Sequence, residues 1–261
     1  MTRDPEIAFS FIAIAQRTAK PRQQGITMVL DKGLGQQQAE NLMFASPAID
    51  IIKLGWATPR LFPERIIRSK IELYRRHGIL TCNGGTLLEI AYQQNTLDRF
   101  FPYCRDLGLE IMEVSNGVVP MSAVDKAGII AEASRRGFFV ISEVGRKDPA
   151  EDRKLTMGDR IEEARADLEA GAQYVIIEAR EGGRDLGVYD REGGIKSEMA
   201  RELVDAIGVE RIMFEAPAKS QQAGLILLFG RDVNLGNIRP EDIIPLETLR
   251  LGIRGDTIGK L

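Results

Sequence analysis

Eight short apolar runs punctuate the chain, and segments with helical spacing separate most of them. This alternation restricts the fold more than any other feature. The runs are Ile26–Leu30, Ile49–Ile52, Ile79–Thr81, Leu109–Val114, Phe138–Val144, Tyr174–Ile177, Arg211–Phe214 and Val233–Leu235. Short apolar stretches bounded by glycine and polar clusters read as buried strands. Between them, Glu64–Arg76 sets Ile66, Ile67, Ile71 and Leu73 near one face and stops at His77-Gly78. Further helices are predicted over Thr86–Gln94, Asp125–Arg136, from an N-cap at Thr156 to about Ala170, over Ser197–Ile207 and over Ser220–Phe229. No Pro/Ser linker or compositional break interrupts the pattern, which therefore predicts βαβ units in one domain.

Eight units predict a closed (β/α)8 TIM-type barrel, the α/β fold that typically needs about 250 residues. The barrel is expected over residues 21–261, with residues 1–20 as an N-terminal strap or helix. An open dinucleotide-binding sheet would want G-x-G-x-x-G after its first strand. Asp31-Lys32-Gly33-Leu34-Gly35 stands there instead and lacks the third glycine. Ile7–Ala15 has the length of a signal-peptide core, but Asp4 and Glu6 cancel Arg3 in what should be a positive leader. No apolar run approaches the ~20 residues of a membrane span. With 35 basic against 38 acidic residues, nothing favours a nucleic-acid partner. Cys82 and Cys104 are too few for a disulfide framework and fit a reducing cytoplasm.

Charged or amide groups close or follow the runs: Asp31-Lys32, Lys53, Asn83, Glu113, Glu143, Glu178, Glu215 and Asn234. A parallel barrel gathers its strand ends at one rim, so these groups predict a shared pocket and an enzyme. The sole histidine, His77, precedes the third run and falls on the opposite rim, which argues against a histidine triad or a histidine-rich zinc site. Proton transfer must then use Lys, Glu, Asp or Tyr. Lys32, Lys53 and Lys147 stand near strand ends, where an apolar wall would lower a lysine's proton affinity toward neutral pH. Glu143, Glu178 and Glu215 end three successive runs, and their hard oxygens would suit Mg²⁺. The same glutamates would also serve in a structural ion network with Lys53, Arg146, Lys147 or Arg180. The charged connection Gly145–Leu155 is expected to be a lid. Phosphate is expected at the late loops, Ala216–Gln222 and Gly236-Asn237, where Lys219 and Ser220 open a helix, with Arg254 a weaker candidate.

Several segments resemble phosphosulfolactate synthases in order along the chain: Met28–Gly33, Ile52–Trp56, Asn83–Leu87, Glu143–Lys147, Val175–Glu181, Phe214–Gln222, and the tail Leu246–Arg250 with Leu251–Thr257. Arg146, Ala179 and Gly182 depart from the family pattern beside these strand ends. The resemblance implies a Mg²⁺-dependent barrel enzyme that joins sulfite to phosphoenolpyruvate, and a homo-oligomer, with a trimer as the expected form. It implies Lys147 as the acid that protonates the phosphate-bearing carbon, with Lys53 second. Lys32, Arg146 and Arg180 would screen the two anions, and Lys219, Ser220, Asn234 and Arg254 would bind substrate or phosphate. Two other readings compete. One is a Schiff-base barrel aldolase using Lys53 or Lys147; the other is a non-catalytic relative of the heat-stress type.

Overall fold

The computed structural model describes residues 7–180 and 182–261, and all eight expected strands are present. They are β1 Thr27–Asp31, β2 Ile51–Leu54, β3 Leu80–Asn83, β4 Ile111–Val114, β5 Phe139–Val144, β6 Tyr174–Ile177, β7 Ile212–Glu215 and β8 Asn234–Ile238. Every neighbouring pair is parallel, and β8 returns to β1 to close the barrel. Helices cover the outside: α1 Gln36–Leu42, α2 Glu64–Arg76, α3 Gly85–Gln93, α4 Leu97–Leu107, α5 Ala123–Arg135, α6 Pro149–Asp152, α7 Met157–Ala170, α8 Ser197–Ile207, α9 Lys219–Phe229 and α10 Ile243–Arg250. The chain is therefore a (β/α)8 barrel, as the alternation of runs predicts. Among the described residues, no helix is long and apolar enough to cross a membrane.

Strand periodicity explains how the site is built. Alternate residues face the lumen, where Ile26, Met28, Ile51, Cys82, Ile111, Ile141, Tyr174, Ile176 and Met213 form one buried cluster. The intervening residues, among them Val29, Ile52, Met112, Val140, Val175 and Phe214, face the helices in a second cluster. Burying each such side chain contributes roughly 1.5–3 kcal/mol. Two residues beyond that inner layer, the lumen-facing positions change to Lys53, Glu113, Glu143, Glu178 and Glu215, all buried. An apolar floor thus supports a charged upper layer at the strand C-termini.

The closing seam is irregular. Thr27 pairs with Leu235, but Val29 pairs with Ile238, so β8 spends one residue more than β1 over the same interval. This is a β-bulge at Gly236-Asn237, and Asn237 adopts a left-handed φ of 53° there.

Residues 7–26 contain turns but no helix or strand. Part of this segment straps the N-terminal mouth. Lys20 Nζ donates to the carbonyl oxygens of Ser46 and Ile49, Arg22 pairs with Asp50, and Tyr174 donates its hydroxyl to Gln23 O. The first six residues of the expected strap lie outside the described residues. A cavity of about 480 Å³ opens at this end beside His77, Ile79 and Phe139. It is larger than the one at the charged end, but its lining is dominated by apolar surface and includes none of the strand-end lysines and glutamates. His77 is the C-cap of α2 and sits at this rim, as expected.

Candidate active site

At the other end, a cavity of about 240 Å³ is lined by Lys53, Glu113, Lys147, Glu178, Arg180 and Glu215, together with Trp56, Gly84, Gly85 and Asn237. The two lysines organise the carboxylates. Lys147 Nζ donates to Glu143 Oε1 and Glu178 Oε2, each at 2.7 Å. Lys53 Nζ lies 2.9 Å from Glu113, 3.4 Å from Glu215 and 3.8 Å from Glu143. Backbone amides hold two of the carboxylates as well: Gly85 N donates to Glu113, and Ala179 and Arg180 N donate to Glu215.

These neighbours reverse the expectation for lysine acidity. Burial does work against the charge on Lys53, but Glu113, Glu215 and Glu143 outweigh it and raise its proton affinity. Lys147 is likewise pushed well above its ordinary range, burial being overcome by Glu143, Glu178 and Glu215. The walls around the ammonium groups are carboxylates, which is why the apolar-wall argument fails. Burial, then Glu143 and Glu215, raise the Glu178 carboxyl, whereas Lys147 and Lys53 overcome burial and bring Glu143 down to about 2. One proton bridging the Glu143–Glu178 pair accounts for both directions.

Burial pushes Glu113 up to about 7, against the pull of Lys53 and with added repulsion from Glu143. Between its ordinary value near 4.5 and about 7, the folded chain therefore binds more protons at this site than the unfolded chain. The Glu113 contribution to stability falls as pH rises through that window. In metal-free buffer, E113Q is expected to remove this loss. Urea midpoints at pH 5 and 7.5 should converge in the variant relative to the native chain, and an unchanged difference would refute the assignment.

The structure gathers Lys53, Lys147, Glu143, Glu178, Glu215 and Arg180 but disperses several other expected residues. Asn234 is the first residue of β8, not its end, and it lies at the N-terminal face. There its side chain accepts from Ile26 N and donates to Ile212 O, so a substrate role for it is withdrawn. Gly236 cuts the apolar run short in the sequence, and Asn237 is the amide toward this strand's far end. Lys219 and Arg254 meet at Asp256, at 2.8 and 3.5 Å, outside the residues lining the charged cavity. Lys219 and Ser220 do open α9, but Ser220 is exposed, and Ala218 is the N-cap with Gln221 closing on it. Arg146 turns to Asn116 and Glu163. Lys32 stacks over Trp56, 5.5 Å from the ring centroid, at the rim. The Gly145–Leu155 connection is tethered through the buried Asp152, which accepts from Arg146 N, Gly187 N and Arg160.

Glu113 stands among the strand-end groups in the sequence but belongs fully to the site only once β4 and β5 pair. Glu89 is a second addition. Fully buried on α3, it accepts hydrogen bonds from Ser115 Oγ and from the amides of Gly117, Val118 and Val119. That fixes the loop after β4, whose Gly117 O receives the Lys147 amide. Its place on an amphipathic helix gave no signal of this role.

Gly84 marks the tightest approach to backbone in the wall. A Cβ there would lie 2.7 and 2.8 Å from the Trp56 backbone N and O and 3.0 Å from Leu54 O. Backbone cannot yield as a side-chain tip can, so G84A is expected to cost at least about 2 kcal/mol. Chemical denaturation measures this, and a loss below about 0.5 kcal/mol would show that the β2 loop relaxes freely.

Oxygens of Glu143, Glu178 and Glu215 all lie within 4.8 Å of one another, close enough to share one ion. Fully ionised, the four buried carboxylates exceed the two ammonium groups by the charge of one divalent cation, so such an ion would take the place of the proton shared by Glu143 and Glu178. Glu143 Oε2 also lacks a hydrogen-bond donor. The donor set, all hard oxygen, fits Mg²⁺.

A closed barrel with paired lysines and carboxylates buried at its C-terminal mouth defines a (β/α)8 enzyme. Solved barrels share the architecture: 3-hexulose-6-phosphate synthase from Salmonella typhimurium aligns with a TM-score of 0.55 at 14% identity, over 88% of this chain and all of that one. The chain belongs to the (2R)-phospho-3-sulfolactate synthase family, which it matches over residues 15–256. It is 47% identical to the phosphosulfolactate synthase of Methanothermobacter thermautotrophicus, covering 97% of this chain and 98% of the relative. The phosphosulfolactate synthase of Methanocaldococcus jannaschii is 43% identical, over 92% and 96% respectively.

Proposed function

We propose that the protein adds sulfite to C3 of phosphoenolpyruvate and gives 2-phospho-3-sulfolactate, with Lys147 as the proton donor and Mg²⁺ held by Glu143, Glu178 and Glu215. The observation that carries this reading is the Lys147 ammonium bridging two of the three carboxylates able to share an ion. The sulfur lone pair of sulfite forms the C–S bond, and the C2–C3 π pair moves toward the substrate carboxylate. Lys147 Nζ then gives a proton to C2 and regains one from solvent, so no bond to phosphorus breaks. Mg²⁺ bound at the three glutamates would supply charge stabilisation to the carboxylate in which that electron density collects.

The remaining residues position the anions. Sulfite is already nucleophilic, so no base is needed to activate it. Arg180 and Lys53 supply positive charge that offsets the repulsion between the two anions. Arg180 also donates to Lys147 O, coupling the loop after β6 to the lysine. An acid needs its proton loosened in the course of reaction. A cation held by Glu143 and Glu178 would supply this by reducing their pull on Lys147.

Homo-oligomer formation is supported by the strap, where Ile7, Phe9, Phe11, Ile12 and Ile14 expose about half or more of their surface. A cytoplasmic setting fits the free, buried thiols of Cys82 and Cys104. The deciding experiment incubates the purified protein with phosphoenolpyruvate, sulfite and Mg²⁺ and seeks phosphosulfolactate by mass spectrometry. Failure to form it under these conditions overturns the assignment.

A further inference from the structure

Six described non-glycine residues take a left-handed backbone, and three of them, Trp56, Arg180 and Asn237, line the charged cavity. Such conformations cluster where a fold must aim a side chain against its own preference. Asn237 carries the most evidence. Simple alternation along β8 would turn it outward, because Gly236 faces Met28 and Met213 in the lumen. The bulge at Gly236-Asn237 breaks that alternation and brings Asn237 into the cavity lining.

The turn itself does not use the amide. Asparagine in this conformation commonly bonds its side-chain oxygen to nearby backbone, yet Asn237 Oδ1 is enclosed without a partner, on a residue only 6% exposed. A buried carboxamide oxygen left unmatched in a polar cavity is costly, and a ligand removes that cost either by donating to it or by drawing the NH2 group of the same carboxamide into its place. The group is neutral and sits among charges. It can rotate to present N–H donors to an anion without adding to the electrostatic balance of the lysines and glutamates.

We propose that Asn237 is a substrate-binding residue that orients the phosphate group of phosphoenolpyruvate at the β8 edge of the site. The proposal rests on the synthase reading for the identity of that substrate. Glu143, Glu178 and Glu215 occupy the β5–β7 side, where the substrate carboxylate and its developing charge are assigned, which leaves the phosphate to the β8 side.

Two substitutions separate this role from a backbone role. N237G keeps the left-handed turn and removes only the carboxamide, whereas N237D keeps both shape and turn but substitutes an anion. Trp56 is the sole tryptophan and lines the same cavity, so its fluorescence reports occupancy without turnover. Phosphoenolpyruvate and inorganic phosphate, each with Mg²⁺, are titrated into the native protein and both variants. The expected result is weaker binding of both probes, about tenfold in N237G and about a hundredfold in N237D, as expected when a hydrogen bond to a charged group is lost and then replaced by repulsion. KM for phosphoenolpyruvate should rise in parallel, while KM for sulfite stays within about twofold. Native-like binding of phosphate and phosphoenolpyruvate in N237G would overturn the proposal by showing that Asn237 serves only the turn. If the native protein binds phosphate but makes no phosphosulfolactate, the synthase reading fails, and the phosphate titrations still decide the role of Asn237.

Discussion

K147A is expected to fold and to form phosphosulfolactate at least about a hundredfold more slowly than the native protein, the usual scale for a lost general acid. Lys147 sits between Glu143 and Glu178 at 2.7 Å from each, so alanine removes a proton donor and a cation together. K147R separates the two. Arginine keeps the positive charge but does not release its proton under working conditions. Both variants should therefore lose turnover, and only K147A should also alter the pairing of the glutamates. Circular dichroism and urea unfolding establish that the barrel persists, and single-turnover kinetics measure the chemical step. Near-native turnover by K147R would remove Lys147 from proton transfer and leave it a purely electrostatic role.

Chelation by EDTA is expected to abolish product formation, and added Mg²⁺ to restore it. A second readout is independent of turnover. A cation that binds only the folded chain stabilises it by mass action, by about 2.7 kcal/mol at a hundred times its dissociation constant. Saturating Mg²⁺ should thus raise the unfolding midpoint of the native protein. E143Q should weaken that effect, because it removes an anionic oxygen donor from the trio that can share an ion. Full turnover in EDTA, with no midpoint shift on adding Mg²⁺, would assign the glutamates to a lysine-held ion network alone. The aldolase reading diverges here as well, since a Schiff base at Lys53 or Lys147 would survive chelation and be trapped by borohydride.

Much of the barrel is legible in the residues because its strands are buried on both faces and its helices end at glycines. Gly171, Gly208 and Gly230 cap the helices expected before them, whereas the helix Leu97–Leu107 that ends at Gly108 falls where no helix is predicted. Charged strand ends also read directly, since Lys53, Glu143, Glu178 and Glu215 each follow apolar residues that fix their direction. What failed had specific causes. The β8 bulge changes the count of residues along the strand, so counting from the apolar run selects Asn234 over Asn237. Proton affinities depend on which charges meet across strands, and that is set by register. Glu89 acts from a helix onto a loop 29 residues further along the chain, at a separation invisible to local pattern.

The interlocked charges at the mouth also bear on how such a barrel can change over generations. Removing one member of a buried ion pair strands its partner, at roughly 3–5 kcal/mol. Lys53 alone neighbours three carboxylates, so its loss would strand several charges at once. A lineage drifting away from catalysis could not shed these residues one at a time without unfolding pressure. The cluster thus serves folding as well as chemistry, and a descendant that abandons the chemistry must exchange the charges in matched sets.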